Sequence, residues 1–256
     1  MRILLTLAFT ILFTASAMAG APISYNDGET ELQGYVSAPT ENAGTTPIVM
    51  IVHQWKGLGD YEKKRADMLA DQGYVAFAID MYGKDIRPET TDEAKTQSSK
   101  YKGNPDLARS RLNAALATAR TLELGSPDDI AIIGYCFGGT MALKLARTGA
   151  DIDGAVSFHG GLNTDKPAEK DSIKAEIEVH HGAADPHVPP EQVDAFMREM
   201  EDSGTDFAFY AYDGAVHAFT EKHAGNDPST GAAYDANADQ KSWARTLDFL
   251  KRKFAE

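Results

Sequence analysis

Short apolar runs recur along this chain, each followed by an amphipathic or turn-rich stretch. The clearest are residues 47–53 (Pro-Ile-Val-Met-Ile-Val-His), 74–80, 129–134, 154–159, 173–181 and 206–212. A run without polar alternation suits a strand covered on both faces, as in a parallel sheet. Between the runs, residues 60–71 predict a helix opened by Asp60 and ended at Gly73, with Tyr61, Met68 and Leu69 turned inward. Pro105 opens a second helix to about Leu124, with Leu107, Ala108, Leu112, Ala115, Leu116 and Ala119 on one face. Residues 191–200 and 237–253 read as two more. Residues 22–38 alternate loosely about Asp27-Gly28, a hairpin signal. Residues 40–46 and 213–231 read as loops, and 81–104 as a polar excursion over the top of the sheet. Strands alternating with helices from residue 47 onward predict an α/β class with a mostly parallel sheet.

Composition adds two limits. With 256 residues, 43% hydrophobic and 25% charged, the chain suits one domain with a large core. A formal net charge of −13 argues against a nucleic-acid groove or an anionic membrane surface as partner. The first 19 residues stand apart: Arg2, an apolar centre, then Ala17-Met18-Ala19. That order reads as a secretory signal peptide cleaved after Ala19, leaving 20–256 as a single domain with no stable membrane insertion. The expected location is periplasmic or secreted, and the expected state a monomer. One cysteine excludes an internal disulfide, and a lone thiol in an oxidising compartment points to a chemical role.

That cysteine sits in Gly134-Tyr135-Cys136-Phe137-Gly138-Gly139, between an apolar run and an amphipathic one. This is G-x-S-x-G with cysteine for serine. A strand turning sharply into a helix strains the central residue and crowds those two before and two after it, hence the glycines. The turn would place Cys136 at a helix N-terminus, where a thiolate is favoured. A small buried cysteine between ordinary turn glycines is the plainer alternative.

Thiol chemistry needs a base and a group that orients it. On this architecture the acid and the histidine follow the nucleophile in chain order, each in a loop after a strand. Asp185, leaving the 173–181 run through Gly182, fits the acid better than Asp171 or Asp213. His217, after the 206–212 run, fits the base better than His223. His53 and His159, at strand ends, are candidate lining residues. The oxyanion calls for two amides, expected from Phe137 and Trp55. No H-E-x-x-H, C-x-x-C or G-x-G-x-x-G occurs in a suitable place, so neither a metal nor a dinucleotide cofactor is expected.

These residues resemble the dienelactone hydrolase family of α/β-hydrolases. The resemblance rests on the cysteine motif, on His181-Gly182-x-x-Asp185, on Gly214-Ala215-x-His217-x-Phe219, and on the segments 49–57 and 80–83. It covers essentially the whole chain after residue 19. It implies an α/β-hydrolase fold with helices on both faces, a Cys136–His217–Asp185 triad, and hydrolysis of a small-molecule lactone or ester through a thioester. Members that cleave lactones carry a glutamate where this chain has Gln54. They also use two arginines for the substrate carboxylate, where this chain has Lys84 and, near the second, Glu221. Gln54 and Lys84 are therefore expected at the substrate, and a carboxylate-bearing lactone is not. The alternatives are an esterase or thioesterase of other acyl specificity, and a degenerate α/β-hydrolase that binds without turnover.

Overall fold

The computed structural model describes residues 17–40 and 45–255. One eight-stranded sheet runs through it in the order β1-β2-β4-β3-β5-β6-β7-β8. The strands are β1 (Ala17–Asp27), β2 (Thr30–Pro39), β3 (Ile48–Val52), β4 (Val75–Ile79), β5 (Ile130–Tyr135), β6 (Gly154–Phe158), β7 (Glu176–Gly182) and β8 (Phe207–Tyr212). The hairpin β1–β2 and the pair β2–β4 are antiparallel, and every later pairing is parallel. Residues 1–16 of the expected leader lie outside the described residues. Ala17 and Met18 pair with Pro39 and Ala38 in β1, so the expected cleavage point falls inside that strand.

The helices are α1 (Asp60–Ala70), α2 (Thr91–Lys102), α3 (Pro105–Ala119), α4 (Phe137–Arg147), α5 (Pro190–Ser203) and α6 (Ala236–Lys253). Period-two alternation in the central strands divides the core. Ile48, Met50 and Val52 of β3 join the cluster that also holds buried residues of α3, α4 and α5, whereas Val49 and Ile51 join the one that holds Leu69 of α1 and Phe249 and Leu250 of α6. Every residue of β3, β4 and β5 is buried, as their unbroken apolar runs require.

Two expectations are corrected. Residues 81–104 are not wholly irregular, because α2 occupies half of them. Its Thr90–Glu93 capping box starts a helix that buries only Ala94, Ser98 and Tyr101. The inward face of α1 is not purely apolar: Glu62 and Arg65 are buried on it beside Ala66 and Leu69.

A buried charge pair ties α4 to α5. Arg147 of α4 meets Glu199 of α5 in a bidentate contact at 2.9 and 2.7 Å, with side chains only 6% and 5% exposed. Removing the guanidinium would strand a buried carboxylate. Arg147→Ala is therefore expected to cost about 3 kcal/mol, read as a lower urea midpoint at unchanged slope.

Candidate active site

Strand order reverses at β3, which pairs with β4 on one side and β5 on the other. Loops leaving the carboxyl ends of two such strands diverge and open a crevice. Here the loop after β3 carries Gln54 and Trp55, and the turn after β5 carries Cys136. Both line a cleft of about 1190 Å³, together with His187, His217, Thr220 and Glu221.

The β5–α4 turn has a steric explanation. Cys136 adopts φ 55° and ψ −113°, a conformation that costs a non-glycine residue roughly 1–3 kcal/mol. A Cβ on Gly134 would lie 2.1 Å from the Gly138 carbonyl oxygen, and one on Gly138 would lie 2.1 Å from the Val52 carbonyl oxygen. Both glycines are thus required for α4 to start so close to β5 and β3. Cys136, His159 and Ala218 account for three of the four described non-glycine residues with left-handed φ, and Cys136 and Ala218 line this cleft.

His217 Nε2 lies 3.0 Å from Cys136 Sγ, and its Nδ1 lies 2.8 Å from Asp185 Oδ2. The other oxygen of Asp185 accepts the His187 N–H at 2.8 Å, which fixes the carboxylate. The structure therefore brings Cys136, His217 and Asp185 into one line. The rival His223 instead has a ring almost fully exposed and bonded to Glu221 at 3.0 Å.

The charges in this line support one another. Burial alone would push the Cys136 thiol up. The charge and hydrogen bond of His217 reverse that, Lys102 and the Phe137 N–H add to the effect, and the thiol is lowered. Burial alone would lower His217. The charge of Cys136 and the bonds to Asp185 and Cys136 outweigh it and push the imidazole up to about 10. Both shifts favour the thiolate–imidazolium form of the pair over the neutral one.

Two other histidines brace the site. His159 is fully buried, which lowers its pKa well below the usual range. Its Nδ1 accepts the Cys136 N–H at 3.1 Å, so its Nε2–H faces Thr220 Oγ1 at 2.8 Å. His53, also fully buried and lowered to about 4 by that burial, accepts the Met81 N–H on Nε2 at 3.2 Å. Its Nδ1–H therefore donates to the Gln54 carbonyl at 2.5 Å. Neither ring lines the cleft, so their part is support rather than the lining expected of them.

Phe137, the first residue of α4, presents its N–H to the Cys136 sulfur. The Trp55 N–H donates to no group among the described residues. Gln54 lines the cleft and donates from Nε2 to Glu221 at 3.1 Å. Lys84 is corrected: its ammonium sits on Glu31 at 2.7 Å, outside the cleft, and takes no part in the site. Of the lysines lining the cleft, the one whose charge lowers the thiol is Lys102, from α2, which sequence reasoning left out together with its helix. Among the described residues, no three His, Cys, Asp or Glu side chains group as metal ligands.

Residues 32–254 match the dienelactone hydrolase family. A Bradyrhizobium relative described as "Probable 2-oxo-3-(5-oxofuran-2-ylidene)propanoate lactonase" is 30% identical over 234 residues, spanning 88% of this chain and 90% of its own. A candidate carboxymethylenebutenolidase of Aquifex aeolicus is 25% identical over 236 residues, spanning 91% and 98%. Among solved structures, a dienelactone hydrolase-like promiscuous phosphotriesterase from metagenomic libraries is 33% identical, with TM-score 0.87 over 93% of this chain and 98% of its own.

Proposed function

Since this chain belongs to the dienelactone hydrolase family and is a carboxylic ester hydrolase, we propose that Cys136 is its nucleophile, His217 its acid and base, and Asp185 the group that orients His217. The observation that carries this is the 3.0 Å approach of His217 Nε2 to Cys136 Sγ. The thiolate adds to the ester or lactone carbonyl, and the carbonyl π pair moves onto oxygen. The Phe137 and Trp55 N–H groups receive that oxyanion. As it collapses, the C–O bond to the alcohol breaks, and the imidazolium gives its Nε2 proton to the departing oxygen. A thioester remains on Cys136. The now neutral imidazole takes a proton from water, hydroxide adds to the thioester, and the C–S bond breaks to release the acid and restore the thiolate.

The substrate is an uncharged ester or lactone of low molecular weight. Glu221, bonded to Gln54, sets a carboxylate in the cleft wall, which disfavours an acidic acyl group beside it. We further propose that residues 1–19 direct the chain out of the cytoplasm, as their basic start, apolar centre and small-residue end suggest.

A panel of lactones and esters, neutral against anionic, tests the substrate class, with iodoacetamide treatment testing the nucleophile. Neutral members should show the higher kcat/KM, and Glu221→Gln should raise kcat/KM for the anionic ones by roughly tenfold, the effect of about 1.4 kcal/mol of relieved repulsion. A clear preference of the unaltered protein for anionic substrates would overturn the assignment, as would activity that survives complete alkylation.

A further inference from the structure

We propose that Glu62 is a positioning residue: its buried carboxylate clamps the Gln54–Gly59 loop so that the Trp55 N–H is aimed at the oxyanion. This rests on the thiol-hydrolase reading above and extends it to a residue whose two carboxylate oxygens bond loop amides.

The Trp55 N–H belongs to the same peptide unit as the Gln54 carbonyl. The described chain has no cis peptide bond, so the two point in opposite directions. Holding the carbonyl therefore aims the N–H. The Gln54 carbonyl is held by His53 Nδ1–H at 2.5 Å and by the Gly57 N–H at 3.2 Å. The peptide unit after it is held as well, because Tyr82 donates its hydroxyl to the Trp55 carbonyl at 2.9 Å. The unit before it is held by Glu62, whose Oε1 accepts the Gln54 N–H at 3.1 Å.

Glu62 also closes the far end of the loop, since its Oε2 accepts the Gly59 N–H at 3.0 Å. One carboxylate thus joins both ends of a segment that has no regular secondary structure. The Gly59 contact alone satisfies the N-cap amide of α1, the part a glutamate plays in a capping box. The Gln54 contact is more than a helix start needs, and it is the one that reaches toward Trp55. Glu62 is 2% exposed. Burial pushes its carboxyl above the ordinary carboxylate range, the amides of Gln54 and Gly59 work against that rise, and Glu221 adds to it. An acid kept in such surroundings, with both oxygens on loop amides, is costly unless the loop geometry depends on it.

The test uses the full chain and two variants, Glu62→Ala and Glu62→Gln, with three readouts. The first is kcat/KM for a neutral chromogenic ester. The second is inhibition by phenylacetaldehyde, whose carbonyl carbon bonds to the Cys136 sulfur while its oxygen becomes the oxyanion. The third is the alkylation rate with iodoacetamide, which displaces iodide from carbon and needs the thiolate but no oxyanion donor. Glu62→Ala should lower kcat/KM by about 10²-fold and weaken the aldehyde by a similar factor, as loss of one oxyanion donor does. Its alkylation rate should stay within about twofold of the unaltered protein. Glu62→Gln keeps the shape and one acceptor oxygen, so it should fall between.

Alkylation that drops in step with hydrolysis would overturn the proposal, because Glu62 would then act on the thiol. Unchanged aldehyde inhibition in both variants would overturn it too. If Glu62→Ala fails to fold, Glu62→Gln decides by the same comparison. Absence of ester hydrolysis in the unaltered protein would count against the thiol-hydrolase reading itself, and the aldehyde's protection of Cys136 from iodoacetamide, compared between the unaltered protein and the variants, would still report on Glu62.

Discussion

Cys136→Ala is expected to lower ester turnover by at least about 10³-fold while leaving the fold in place. Turnover is followed with a chromogenic acetate ester, and the fold by circular dichroism and thermal melting. Alanine keeps a Cβ at φ 55°, so the turn stays as strained as before and the melting temperature should move little. Cys136→Ser should retain a small rate above that of the alanine variant. The Phe137 and Trp55 amides are untouched, and His217 still has a hydroxyl to deprotonate. What serine loses is the preformed anion. An ordinary hydroxyl gives up its proton only during attack, whereas this thiol is already lowered by the imidazolium 3.0 Å away. Full activity in Cys136→Ala would move the reaction to another part of the molecule.

The elements around this cysteine were legible in the chain because steric need leaves its mark on residue type. Gly134 and Gly138 are glycines because a Cβ on either would collide with backbone, and the strand before them is unbroken apolar because both its faces are covered. Asp185 and His217 were reached from chain order, and the structure brings them into line with Cys136. Where sequence reading failed, the cause was burial of polar groups. Helix α2 buries Ala94, Ser98 and Tyr101, too sparse a stripe to register as a hydrophobic period. The Thr90–Glu93 capping box was the signal that could have found it. Glu62 and Arg65 are missing from the expected inward face because a charge carries no hydrophobic signal, yet one binds two loop amides and the other reaches Asp239 at 2.5 Å. Lys84 was misplaced for the opposite reason. Its partner Glu31 is on a strand far away in sequence, and nothing local announces that ion pair. Partners distant along the chain leave no periodic trace, so long-range polar contacts are the part of a site that must be seen.

The second large effect expected is in the pH dependence of thiol reactivity. In the unaltered protein the Cys136 thiol is lowered, so its alkylation by iodoacetamide should remain fast below the ordinary thiol range near 8.5 and decline only as pH falls through the depressed value. His217→Ala removes the charge and the hydrogen bond that lower the thiol. Burial, which opposes them, then dominates, and the acid limb should move upward past the ordinary range. At neutral pH that shift should slow alkylation by more than about tenfold, since each pH unit below a pKa costs a factor of ten in anion. An unchanged limb would mean that the imidazole does not hold the thiolate. On the proposed mechanism, the same coupling lets one histidine serve both halves of the reaction. At rest His217 is held up to about 10, with the Cys136 charge and hydrogen bond among the causes. Acylation turns the thiolate into a neutral thioester and removes both, leaving Asp185 to oppose burial. The imidazole then falls toward its ordinary range and becomes a base near neutral pH, at the stage when water must be deprotonated. Deacylation should accordingly show an acid limb near the ordinary histidine value of about 6.5, separate from the alkylation limb, when single-turnover hydrolysis of the acyl-enzyme is followed against pH. One limb shared by both measurements would contradict this account, because it would make the charge of His217 independent of what the sulfur carries.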